Sequence, residues 1–284
     1  MEADHSKGMF ARTRLLSLVV ASTALMAVAW PVSAFAATSP SLGTALNFTV
    51  LAGSTITNTG PTVVTGSLGL DPGSAVTGFP PGVATGTKHI SDAVALDAKD
   101  GLVTAYNDAA HSSTTSDLTG KNLGGKNLDP GVYAFSSSAQ LTGTLTLSGS
   151  GVYIFKIAST LTTASHSVVR LTDGAEACSV FWQVGSSATL GSTSQLQGNL
   201  MALTSITMTT GAAIRSGRAL ARNGALTLDD NDISPPVGAC TSSLFVPGTG
   251  AADAPLSTIG FAMMLGGAAA VAIGIRRMRR RDNH

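Results

Sequence analysis

Three histidines (His89, His111 and His166), the acidic run Asp229-Asp230-Asn231-Asp232 and two cysteines (Cys178 and Cys240) are the first places to look for chemistry in this chain. Hydrolysis needs an imidazole beside a nucleophile, or an acid and a base facing each other. None of the three histidines has such a partner near it in sequence, and no Cys or His stands at metal-ligand spacing to another. His166 reads as a rung or turn residue. The acidic run offers oxygens of the kind calcium takes, but its composition is also that of a turn closing a coil, the reading that turn propensity favours. The segment GAAIRSG at residues 211–217 lacks the Lys-Ser/Thr step of a phosphate loop. No catalytic residue, metal or cofactor is assigned, and the chain does not read as an enzyme.

The hydroxyls are arranged differently. SATLG, SITMTTG and GALTLDD repeat one short strand pattern, with Thr189, Thr207 and Thr227 in the same place each time. Alternation sends Ile206, Met208, Leu226 and Leu228 to one side of a strand and Thr207, Thr209 and Thr227 to the other. Recurrence at about 18–20 residues marks coil stacked on coil, a β-solenoid or β-helix. The outward threonines are the candidate site: Thr144, Thr146, Thr160, Thr162, Thr189, Thr207, Thr209 and Thr227, with Thr55 and Thr57 as the N-terminal contribution. Such an array holds ordered water or a crystalline surface, and does no acid–base work. Strand propensity alone would also place Thr at exposed strand positions.

The elements that position these residues lie between two targeting segments. Residues 1–37 read as a secretory signal: Lys7, Arg12 and Arg14 precede an apolar run, and Ala34-Phe35-Ala36 offers small residues for cleavage. Residues 257–275 are uncharged and long enough to span a membrane, and the basic tail at residues 276–284 marks the cytoplasmic side. Within the linker at residues 241–256, Val246-Pro247-Gly248-Thr249-Gly250 resembles a sortase sorting signal with Val in place of the usual Leu. Cell-wall linkage and simple membrane retention both remain open, and both leave the domain outside.

Residues 38–240 form the expected working domain. From residue 38 to 250 there are nine Lys and Arg against twelve Asp and Glu, a balance of −3. Such sparse basic charge excludes nucleic acid as a partner. In an exported domain Cys178 and Cys240 are expected to pair. One stretch departs from the strand pattern. Ile90, Val94, Ala98, Leu102, Ala105 and Ala109 recur at helical spacing, with Asp92, Asp97, Lys99, Asp100 and Asp108 on the other face. A helix at about residues 89–110 is therefore expected to lie against the side of the solenoid.

The blocks AGSTITNTG at residues 52–60, VFWQVGSSATLG at residues 180–191, and GRALA followed by GALTL at residues 217–228 resemble the microbial ice-binding protein family, whose members are antifreeze-like. The likeness runs from about Leu42 to Ile233, with the blocks in the family's order. It implies a mainly β fold, a discontinuous right-handed β-solenoid of triangular section with one long helix alongside. It also implies an ice crystal surface as partner, bound without a cofactor through a flat Thr- and Ser-rich face. The expectation is then a monomeric surface protein for ice adhesion or recrystallisation inhibition. The alternative is a structural or adhesive solenoid that binds glycans or cells without affinity for ice.

Overall fold

Alternating apolar and small polar residues, broken by glycine corners, wind the chain into coils whose strands pair in parallel with the coils above and below. The computed structural model describes residues 37–236. The signal-like segment, Cys240, the VPGTG motif, the apolar stretch at 257–275 and the basic tail lie outside the described residues. Among the described residues no helix is long and apolar enough to cross a membrane.

Two sheets, of fifteen and seven strands, make three faces. The larger sheet folds over an edge because its two longest strands, Gln195–Ala202 and Ala213–Ala221, bend where their register shifts between Leu196 and Gly198. Their first halves pair on one face, with Val168–Thr172 and Thr144–Ser148 to one side and Asp232–Ser234 and Val63–Val64 to the other. Their second halves pair on the next face, with Val180–Val184, Tyr153–Ile157 and Gly131–Phe135 to one side and Phe48–Ala52 and Ser67–Leu70 to the other. Gly198 and Gly217 stack at that corner, where a Cβ on Gly217 would lie 2.1 Å from the Gly198 carbonyl oxygen. The smaller sheet is the third side of the triangle, and the coils are right-handed, as parallel crossovers require.

The stacking order departs from the chain order. Thr55–Thr59, from the first coil, pairs with Leu226–Asp229 of the last. A helix, α1 (Ala93–His111), then carries the chain back along one face to start the remaining coils at the far end. Its 19 residues span about 28 Å, close to six strand spacings. Ala95, Ala98, Leu102, Ala105 and Ala109 form its buried stripe, against Leu51, Leu220, Met201, Phe181, Ile154 and Val132. Alanines let the helix approach the sheet closely.

The helix starts later than residue 89 because Lys88–Ile90 is a strand of the end coil and Asp92 is the N-cap, accepting from the Ala95 amide at 2.8 Å. The expected apolar stripe holds from Ala98 onward, while Ile90 and Val94 are 38% and 49% exposed. Lys99, expected on the solvent face, is buried, and its ammonium donates to the Ala221 and Arg222 carbonyls at the edge of the sheet. Its four-carbon stem crosses the apolar seam, and the corner carbonyls take the place of water.

Burial pushes the Lys99 ammonium down to about 8 from an ordinary 10.5. Between those values the unfolded chain holds the proton more tightly, so stability rises with pH in that window. We expect a higher thermal midpoint at pH 9.5 than at pH 7.5. Lys99→Met should flatten that rise; an unchanged slope would show that another group causes it.

Inside the triangle the core is continuous from coil to coil. Tyr133, Phe155 and Trp182 occupy one register and stack, with Phe155 and Trp182 centroids 4.0 Å apart and 10° from parallel.

Candidate functional site: a threonine face

Among the described residues the smaller sheet shows solvent a row of threonines. Its strands run in space as Ala139–Leu141, Leu161–Thr163, Ala188–Leu190, Ile206–Met208, Leu226–Asp229, Thr55–Thr59 and Ala75–Thr77. Register places Gln140, Thr162, Thr189, Thr207, Thr227, Thr57 and Thr77 in a single file. An isolated bridge adds Asn122 beside Gln140. From Gln140 to Thr227 the residues on either side of each file member, such as Ile206 and Met208 or Leu226 and Leu228, are buried, as is Ile56 beside Thr57. That anchoring turns every file residue outward, and all are exposed except half-buried Thr207. Six threonines thus stand in line about 4.8 Å apart.

A second file runs beside the first, two residues earlier on each strand: Ser138, Thr160, Ser187, Ser205, Ala225, Thr55 and Ala75. The hydroxyls of the two files are used differently. Ser138 Oγ accepts from Thr160 Oγ1 at 2.8 Å, Ser187 Oγ from the Ser205 amide at 3.3 Å, and Ser205 Oγ from the Ala225 amide at 3.1 Å. These hydroxyls hold the coils together. In the threonine file only Thr57 and Thr227 touch, at 3.5 Å. Among the described residues the hydroxyls of Thr77, Thr162, Thr189 and Thr207 have no protein partner.

Of the threonines singled out in the sequence, Thr57, Thr162, Thr189, Thr207 and Thr227 share the file, and Thr55 and Thr160 stand in the neighbouring one. Thr209 lies at the margin, its hydroxyl donating to the Leu190 carbonyl at 2.8 Å. Thr144 and Thr146 are on a different face, in register with Val168 and Arg170. That face carries charge, including Arg170 and an Arg215–Asp232 ion pair at 3.1 Å. The threonine file and its neighbour carry none. Sequence reasoning missed Thr77, Gln140, Asn122 and the serines. Only Thr77 had a readable signal, since Ala75-Val76-Thr77 repeats the Ala225-Leu226-Thr227 pattern.

The groups with reactive potential are occupied elsewhere. His89 Nδ1 lies 2.8 Å from Asp92 Oδ2 and its ring meets Phe48 edge-on. The Ala95 amide, and secondarily His89, hold the Asp92 carboxyl below its ordinary range. His111 Nδ1 is 2.7 Å from the Asn107 carbonyl, and His166 is exposed in a turn at φ +61°. Within the acidic run, Asn231 is buried and closes a turn. It accepts from the Asp229 amide and donates to the Thr209 and Ala212 carbonyls. Asp229 takes the Thr210 hydroxyl and Asp232 takes Arg215, so the carboxylates diverge. Among the described residues no three His, Cys, Asp or Glu side chains gather as a metal site would need.

This architecture has close counterparts. Residues 50–234 match the family model described as Ice-binding-like. An ice-binding protein of Nostoc sp. (strain HG1) is 57% identical over 197 residues, covering 68% of this chain and 73% of that protein. One of Flavobacterium frigoris (strain PS1) is 36% identical over 211 residues, covering 69% and 76%. The crystal structure of an ice-binding protein from an Antarctic biological consortium superposes with a TM-score of 0.69 at 46% identity, covering 72% of this chain and 94% of that one. The coil geometry, the extent of the match and these identities agree that the chain belongs to the Ice-binding-like family.

Proposed function

We propose that this is a non-catalytic protein that adsorbs to ice through the threonine face. The observation that carries the reading is the file of six threonines in strand register, four of them with no protein partner for the hydroxyl, on a sheet that nothing covers among the described residues. Threonine suits the task because its β-branch restricts χ1. Methyl and hydroxyl groups therefore repeat in nearly fixed positions, about 4.8 Å along the file and about 6.5–7 Å across to the next one. Methyls limit how tightly water is held there, while hydroxyls anchor it. The parallel hydrogen-bond ladder keeps the sheet rigid before ice arrives, so little further ordering opposes adsorption.

The reading extends to where the face works. A signal at residues 1–37 and an apolar anchor at residues 257–275, or cell-wall linkage after Thr249, would hold the domain outside the cell as a monomer. Ice adhesion and restraint of recrystallisation are the uses that fit such a display. The test is partition of the purified protein into a slowly grown ice hemisphere. Enrichment in the ice relative to a control protein is expected. Exclusion into the liquid fraction would overturn the proposal, and binding to glycans or cells in its place would establish the adhesive alternative.

A further inference from the structure

We infer that Asp229 is a specificity-determining residue of the threonine face: its carboxylate sets the line where contact with ice stops, along the edge shared with the charged face. The inference rests on the reading of that face as the ice-adsorbing surface and adds its boundary. Among the described residues, the seven strands of the smaller sheet contain one acidic or basic side chain, Asp229. Alternation carries it outward. Leu226 and Leu228 are buried, while Thr227 and Asp229 face out two residues apart, about 6.5–7 Å along the strand.

Asp229 thereby belongs to a third row, beside the threonine file and just before the chain turns the corner to Asp232–Ser234. Thr59 is its register partner in the first coil. On the other side the amides of Thr193 and Gly211 donate to the Thr210 and Asp229 carbonyls, both at 3.1 Å. This ladder sets Ser192, Thr210 and Asp229 next to one another. The row therefore reads Ser192, Thr210, Asp229, Thr59, neutral hydroxyls broken by one carboxylate.

The charge on this row is uncompensated. Thr210 Oγ1 donates to Asp229 Oδ2, and among the described residues no Lys, Arg or His pairs with the carboxylate. A carboxylate only accepts hydrogen bonds, at about four lone-pair positions. Those that Thr210 leaves open go to water, which must turn its hydrogens toward Asp229. In ice every water balances donated against accepted bonds, and a shell of donors alone cannot continue that pattern. Stripping the shell away is costly for an ion without a partner cation. Threonine and serine hydroxyls both donate and accept, so the rows beside Asp229 carry no such conflict. Ice is held over the first two rows and kept off the third.

Asparagine separates charge from shape. Its amide has nearly the same volume, keeps an oxygen for the Thr210 hydroxyl and adds N–H donors. The backbone is held independently, since the Asp229 amide donates to Asn231 Oδ1 and the Asp229 carbonyl accepts from Gly211. Asp229→Asn should keep the wild-type thermal midpoint within about 2 °C. Its adsorption to ice should rise by about threefold or more, read as enrichment in an ice hemisphere and as thermal hysteresis at equal concentration. Asp229→Glu retains the charge and should show no gain. Asp232→Asn makes the same change in net charge on the charged face, and should show none either. Adsorption of the wild type with no gain in Asp229→Asn, or with an equal gain in Asp232→Asn, would overturn this inference and leave the ice-adsorbing face standing. Exclusion of the wild type from ice would overturn both.

Discussion

A Thr207→Tyr variant should melt like the wild type and yet lose ice adsorption by about tenfold or more, a loss of at least about 1.4 kcal/mol. Thr207 is in the middle of the file, flanked in register by Thr189 and Thr227. A flat lattice cannot bend around an obstacle. A phenol ring standing above the methyl plane would therefore lift ice from the neighbouring threonines as well as from its own site. The fold should tolerate the ring because the native side chain points to solvent and makes no protein hydrogen bond, so a stability change within about 0.5 kcal/mol is expected. Thermal hysteresis and calorimetry on one preparation separate the two effects. Thr144→Tyr is the control, since its strand has the same alternation but lies on the charged face. Loss of activity in the control with none in Thr207→Tyr would assign ice to the wrong face.

Trp182→Ala should do the reverse. The indole is fully buried, stacks on Phe155 at 4.0 Å and donates from Nε1 to the Gln197 carbonyl at 2.9 Å. Truncation opens a cavity between coils and leaves that carbonyl without its partner. Loss of a buried Trp costs about 3–5 kcal/mol, which for a domain of this size lowers the thermal midpoint by about 10–15 °C. The threonine face is on another side and its register does not pass through this residue. Molecules still folded near 0 °C should therefore adsorb to ice normally. A midpoint shift of only a degree or two would mean that the coils can close around the gap.

Much of the fold is legible in the residues. Thr189, Thr207 and Thr227 recur at nearly constant spacing because the coils between them have short corners, so the period survives in the sequence. Thr162 precedes Thr189 by a longer interval because the corner at residues 173–179 is extended there. Alternation separates inward from outward residues, but it cannot say which of three outward faces a residue joins. The segment Thr144-Leu145-Thr146-Leu147 alternates like the others, and its face is fixed only by pairing with Val168–Thr172. The match of Thr57 to Thr227 depends on pairing between opposite ends of the domain, which no local pattern encodes. Lys99 was misplaced for a related reason: helical spacing counts a charge as outward, and only the assembled sheet edge supplies carbonyls to receive it.

The pairing of the first coil with the last has a consequence for how the domain is made. Thr57 and Thr227 are 170 residues apart in the chain. In an ordinary repeat array, folding can nucleate at any repeat and spread outward. Here the third of the file contributed by Thr57 and Thr77 has no template until Leu226–Asp229 exists. Contacts of such long sequence separation slow folding and make it late. The first coil is thus expected to stay unpaired until the last coil has been synthesised. Folding then closes in one cooperative step, with the threonine file among the last parts to be completed.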